Sequence, residues 1–385
     1  MSRRQALSGG AAAAGLVAVA GCGAMPAARA SGTTVVADRA PGGLIWRTQV
    51  AASTDEPVLV AADGLVYAGI SGAANGDART YAIDAATGRQ AWQTPGSAGP
   101  RPYAASPGAV FGFAVTGGGA TNVVATSGAS GRILWSHDAG PLLDNAKVGW
   151  LAYAGGLVYV AAGTTENSTA GQPTVRALNA RTGRRAWAVT IGTGPQTPAL
   201  SGGVLYTPDV TSATASTGRV VALHASTGAR RWTSAVLGGV PGLLLVTGGT
   251  VCGSALTRNF QASIFSLDSA TGRRLWQREF GGLTMAATDG MVFLMPLSAG
   301  RATLTAWHAR SGQQAWTRTV PAGAVAEASG SALYLAGGRT LTAVAATTGS
   351  TRWSYKLGAD VADVTADGHA VYALDEHGGV YALRI

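Results

Sequence analysis

Cysteine is almost missing from this 385-residue chain: Cys22 and Cys252 are the only two. A disulfide-stapled scaffold and a thiolate-rich zinc site are therefore excluded. Lysine is nearly as scarce, with Lys147 and Lys356 alone, so the net charge of +9 is carried by arginine. The five histidines (His137, His224, His308, His369, His377) are scattered, and no H-x-x-x-H or C-x-x-C spacing supports a metal. There is no G-x-S-x-G nucleophile elbow. Gly117-Gly118-Gly119 opens no helix, so it is not a phosphate loop. No stretch beyond the N-terminal region is long and apolar enough for a transmembrane helix. No long segment after residue 40 has helical periodicity. The acidic residues form no recognisable metal-ligand cluster.

What the chain has is glycine, 56 residues of it, and a repeat. Y-A-I-D-A-A-T-G-R-Q-A-W spans 81–92. The same frame returns at 124–135, 176–187, 221–232, 265–276, 305–316 and 342–353, each copy ending in tryptophan. A period of roughly 40 residues built of short strands indicates propeller blades. Each unit carries two turn signals. One is a D-G or G-G pair before an apolar run, as in Asp63-Gly64 and Gly202-Gly203. These pairs supply the positive φ of tight hairpins. The other is the Thr/Ser-Gly pair inside the motif, which reverses the chain before a strand that ends in the tryptophan. Four antiparallel strands per unit follow, named A to D from the first to the last.

Seven motifs are complete and an eighth is divided between the chain ends. Tyr381–Ile385 supplies a strand C, and Leu44-Ile45-Trp46 supplies a strand D. The expected fold is all-β: an eight-bladed β-propeller of four-stranded antiparallel blades. The N-terminal strand around Trp46 closes the ring against the C-terminal blade and removes exposed edges. The docking residues are Trp46, Trp92, Trp135, Trp187, Trp232, Trp276, Trp316 and Trp353; Trp150 and Trp307 fall outside the set. A large ring at one fixed place per blade packs between neighbours with its N–H on a backbone carbonyl.

The motif alanine-x-aspartate-x-x-Thr-Gly-x-x-x-Trp resembles the tryptophan-docking repeat of pyrroloquinoline-quinone (PQQ)-type propellers over residues 42–385. The resemblance implies the fold. It leaves function open, since such propellers include quinoprotein alcohol dehydrogenases and non-catalytic members. One of the latter is the lipoprotein subunit of the outer-membrane β-barrel assembly machinery. Catalytic members are similar to a much longer chain with a vicinal disulfide and a Glu/Asn/Asp calcium site. This chain has no Cys-Cys pair. No PQQ or other cofactor is expected, and a small PQQ-type oxidoreductase is the alternative, beside a sensor that binds a small molecule in the channel.

The N-terminus reads as an export signal over 1–21. Ser2-Arg3-Arg4-Gln5-Ala6-Leu7 resembles the twin-arginine signal, and an apolar Gly10–Gly21 stretch follows. Val19-Ala20-Gly21-Cys22 resembles a lipobox, with Cys22 as the lipidation site. Diacylation would hold the chain stably at the outer face of a bacterial cytoplasmic membrane. Cleavage after Ala28-Arg29-Ala30, giving a secreted form, is the alternative to lipidation; an unprocessed cytoplasmic chain is the plain one. Residues 22–40 read as a flexible tether and 41–385 as the propeller, expected to be monomeric. Asn167-Ser168-Thr169 matches a glycosylation sequon, which a bacterial signal discounts. Cys252 sits on a strand B as a buried small hydrophobe.

Alternating strand direction places A–B and C–D turns on one face and B–C and D–A loops on the other. The B–C loops are long in blades one to five and short at 336–339 and 375–379. Binding residues concentrate on loops held by a rigid scaffold, so this unequal face is the candidate recognition face for a protein or envelope partner. Arg101, Asp144, Lys147, Trp150 and Glu327 are its leading residues; Asp55, Glu56, Gln196, Asp360 and Asp363 accompany them. Arginines cluster at the start of strand D, among them Arg89, Arg184, Arg230, Arg273 and Arg352. They read as guards of the outer edges or as attraction to anionic envelope material. They lack the interleaved aromatics of nucleic-acid binders, and no nucleic-acid partner is expected. His224 and His308 stand at the motif's aspartate position, where they are expected to replace a turn hydrogen bond.

Overall fold

A computed structural model describes residues 33–35, 40–51, 55–71, 78–94, 101–115, 121–139, 150–162, 174–192, 197–210, 217–257, 262–296, 302–321 and 323–385. The strands form eight sheets, seven of four strands and one of five. Each is a meander of antiparallel neighbours, which is the propeller the repeat predicts. The A strands lie innermost: Asp55–Ala62, Arg101–Ser106, Trp150–Ala154, Ala199–Ser201, Val240–Thr247, Gly282–Thr288, Val325–Ser329 and Val361–Ala366. The innermost strand of blade one contacts those of blades two and eight, so the sheets close into a ring.

Closure uses the two ends of the repeat. Leu44–Gln49 pairs antiparallel with Gly379–Arg384, matching Trp46 to Ala382 and Thr48 to Val380. It completes blade eight as its strand D. Three residues of the expected tether are themselves a strand: Thr33–Val35 adds outside Leu44–Gln49, with Val35 opposite Trp46. Among the described residues this fifth strand is the one departure from four-strand regularity.

The docking ring repeats with little variation. The indole N–H of Trp46, Trp92, Trp135, Trp187, Trp232, Trp276 and Trp316 donates to a carbonyl of the next blade at 2.6–3.0 Å. The acceptor follows the motif's aspartate position by one in every case, as Ala85 does for Trp46 and Gly128 for Trp92. Beneath each ring lies the motif glycine of the neighbouring blade. A methyl added to Gly88 would sit 2.6 Å from the Trp46 ring, and one on Gly272 would sit 2.5 Å from Trp232. These glycines also have φ near +70°, so both space and backbone demand glycine. Trp353 docks on Gly42, where an added methyl would lie 2.7 Å from the ring. Gly42 precedes Trp46 by four residues, as Gly88 precedes Trp92, so the divided eighth motif keeps its glycine as well.

Each tryptophan also stacks on an aromatic of its own blade, for example Tyr67 on Trp92 and Tyr334 on Trp353, at 5.9 and 6.0 Å between centroids. Blade five breaks the rule. Its aromatic position is Cys252, buried as expected, and Trp307 of blade six reaches over to Trp276 instead, 6.2 Å away. The Trp307 indole nitrogen is buried without a hydrogen-bond partner among the described residues.

Two expectations are corrected. Strand D does not end in its tryptophan. It continues one residue past Trp92 and four past Trp316, because the residues beyond the ring still pair with strand C, as Thr319 does with Thr303. Nor do the side chains of His224 and His308 replace the turn bond. Asp84 and Asp268 accept from the backbone and hydroxyl of the threonine three residues on. In the histidine blades the turn is held by backbone bonds, Gly228 to His224 and Gly312 to His308, both at 2.8 Å, and by the Thr227 and Ser311 hydroxyls, which accept from Ala229 and Gln313. An imidazole is too large to fold back as an Asx side chain does.

Candidate functional site

The inner strands of five blades carry register shifts against strand B at the end nearer the B–C/D–A face. A bulge re-aims side chains and loosens pairing locally. In blade eight the shift falls between Val361 and Asp363. The Asp363 carboxylate accepts from its neighbour Val364 at 2.9 Å and from the Leu59 amide of blade one at 2.7 Å. It therefore bolts the last blade to the first near the channel. Glu327 lies on the inner strand of blade seven, opposite Tyr334. Arg101 opens the inner strand of blade two and is only 5% exposed. It packs where Gly69 of blade one leaves room; a methyl there would sit 3.4 Å from the arginine stem. Blades seven, eight and two thus bring two carboxyls and one guanidinium, and blade one a backbone amide, to the middle and the B–C/D–A end of the channel.

The electrostatics of this group are not relaxed. Protein packs closely around Glu327 and raises its carboxyl to about 7, and the neighbouring Asp363 charge adds to the shift. Loss of hydration likewise raises Asp363 to about 6, opposed by its two backbone donors and by Arg101. Both carboxyls remain half-buried, so the channel still reaches them. Glu327 has no hydrogen-bond partner among the described residues. A carboxyl left like this near neutral pH is a poised acceptor for a donor or cation from outside the chain.

The sequence-derived site divides. Arg101 and Glu327 do converge, and with them Asp363. Trp150 stands apart from this group. It sits half-buried against the core cluster, Tyr159 and Leu205 among its members, that joins blades three and four. Asp360 is exposed just before its inner strand. Asp144, Lys147 and Gln196 lie outside the described residues, as do Cys22 and the central parts of the five long B–C loops. Asp55 and Glu56 begin the inner strand of blade one. The two short B–C turns are formed as expected. That of blade eight is fixed by Asp375, which accepts from Gly379 at 2.7 Å and from the Tyr381 hydroxyl at 3.0 Å. Sequence reading missed the Leu59 amide and the fifth strand, because neither leaves a side-chain signature.

Set against a PQQ cofactor, the described channel groups supply a single cation. That quinone carries carboxylates of its own, and the channel offers two acidic groups against one arginine. No three His, Cys, Asp or Glu side chains gather as a metal would need among the described residues.

An all-β ring of eight tryptophan-docked blades, with a polar group at one mouth, defines a repeat propeller of the PQQ-like class. A family profile described as "Outer membrane protein assembly factor BamB" matches residues 3–170, 171–324 and 300–385. The chain belongs to that family. No curated protein matches it. Among solved structures it is similar to BamB from Moraxella catarrhalis, at 14% identity and a TM-score of 0.57, covering 88% of this chain and 100% of that one. It is also similar to a quinohemoprotein alcohol dehydrogenase from Pseudomonas putida HK5, at 15% identity and 0.62, covering 88% and 72%. The computationally designed Ika8 protein shares 14% identity at 0.63, covering 87% and 98%. At these identities the likenesses concern the fold.

Proposed function

We propose that this protein is an exported, lipid-anchored and non-catalytic binding propeller that recognises a protein partner of the cell envelope through its B–C/D–A face. The observation that carries this reading is the group of Arg101, Glu327 and Asp363 at that end of the channel, in a chain of the BamB family. A poised carboxyl with no partner of its own suits an amine or amide donor from a partner. The ring supplies rigidity, so little ordering entropy is lost on docking. Cys22 would provide the anchor and residues 22–32 the reach above the membrane. The protein would work without PQQ, since the channel charges disfavour an acidic quinone.

Intact-mass and absorbance analysis of the protein purified from its native membrane tests this reading. A diacylated Cys22 with no quinone band is expected. A near-ultraviolet quinone band, or added mass of cofactor size, would make the oxidoreductase the better reading.

A further inference from the structure

The eight outer strands are not equivalent at their edges. The two residues before the docking tryptophan are Leu44 and Ile45 in blade eight, and Ile133 and Leu134 in blade two. Each of the other six blades has at least one arginine, glutamine or threonine there, such as Arg185, Arg230 or Arg274. In blade eight the apolar pair is half-buried, and the edge just beyond it is covered: Thr33–Val35 pairs with Trp46–Thr48 as a fifth strand. In blade two nothing covers Ile133–Asp138 among the described residues, and it is the last strand of its sheet. Ile133 is 62% exposed and Leu134 is 54% exposed, the highest values among the large exposed hydrophobics. Both pairs occupy the same place in the same bulge: Leu44 to Trp46 shifts register against strand C as Ile133 to Trp135 does.

An uncovered outer strand offers a row of backbone donors and acceptors, and large apolar residues on it invite pairing where arginines elsewhere deter it. The surroundings are positive. His137 on this strand feels the charges of Arg176 and Arg185 from blade three against that of Asp138 on its own strand, and Arg132 is exposed at the strand's start, so the cations outnumber the one carboxylate. A second copy of this chain, itself at +9, is a poor match for that field; an acidic segment is a good one.

We propose that the outer edge of blade two, Ile133–Asp138, is a strand-acceptor site. It takes an extended segment of another protein, β-branched at its core and acidic at its flanks, in the way blade eight takes Thr33–Val35. The site is distinct from the channel mouth and stands independently of it.

The test uses the full chain and a synthetic peptide. The peptide carries Thr-Thr-Val-Val-Ala, the sequence of residues 33–37, with two glutamates at each end. Hydrogen exchange is followed by residue. Peptide is expected to slow exchange over 133–138 and to leave 230–233 unchanged. The double variant Ile133→Gln with Leu134→Ala, which copies Gln90-Ala91 of blade one and so should fold, should weaken peptide binding about tenfold or more. No protection at millimolar peptide would overturn the proposal, as would equal binding by the variant. A concentration-dependent dimer lost in the variant would also overturn it, by giving the edge to a second copy.

Discussion

The docking ring and the channel are built by opposite rules. In the ring every group is satisfied in the same way eight times: an indole over a glycine, with its N–H on a carbonyl in the seven blades from Trp46 to Trp316. In the channel nothing repeats. Asp363, Glu327 and Arg101 occur once each, on different blades, and two of them are held in states that burial disfavours. Repetition spreads stability over the whole ring. The singular group concentrates strain at one mouth, which is where natural proteins accept a stability cost for function.

Removing a ring tryptophan should do the most damage. Trp46 is fully buried, and Trp46→Ala should cost about 3–5 kcal/mol by denaturant unfolding; a melting loss under about two degrees would sink the docking reading. A methyl on the docking glycine attacks the same contact from below. Gly272→Ala should cost about 2–3 kcal/mol, from its φ of +73° and the clash with Trp232. A neutral effect would show that the ring tolerates separation of the blades.

The channel should respond with the other sign. Glu327 is raised from 4.5 to about 7, so between those values the folded protein holds a proton that the unfolded chain has released. Stability should therefore fall as pH rises from about 4.5 to 7 and level off above. Glu327→Gln should flatten that slope and stabilise the protein at pH 8 by about 1–3 kcal/mol. Asp363, raised to about 6, should leave a weaker slope of the same sign in the variant. Destabilisation by Glu327→Gln at pH 8 would mean that the carboxylate is structural. The smallest effect belongs to the outer arginines. Arg231→Gln, on an exposed edge, should change stability by under about 0.5 kcal/mol, within the error of a chemical melt.

The same contrast explains what could be read from the chain. The blades were legible because one local pattern, turn glycine and docking tryptophan, is written repeatedly. The ring closure was legible because Trp46 keeps the pattern's last letters. Gly42 went unread as the motif glycine, since Pro41 stands where threonine or serine stands elsewhere. Of the site, Arg101 and Glu327 were legible as polar residues on apolar inner strands. Trp150 was ambiguous because an aromatic at a strand start looks alike whether it faces a ligand or a neighbouring blade. The Leu59 amide belongs to the backbone, and its place beside Asp363 depends on a bulge that no residue type announces. Thr33–Val35 is too short for an alternating pattern to show.

Photo-crosslinking in the native membrane would decide between the two faces of the ring. A crosslinker placed at Asp360, on the B–C/D–A face, should trap a discrete protein partner, and one at Thr271, on the A–B/C–D face, should not. Adducts at Thr271 alone, or equal adducts at both, would contradict a binding role for the channel mouth.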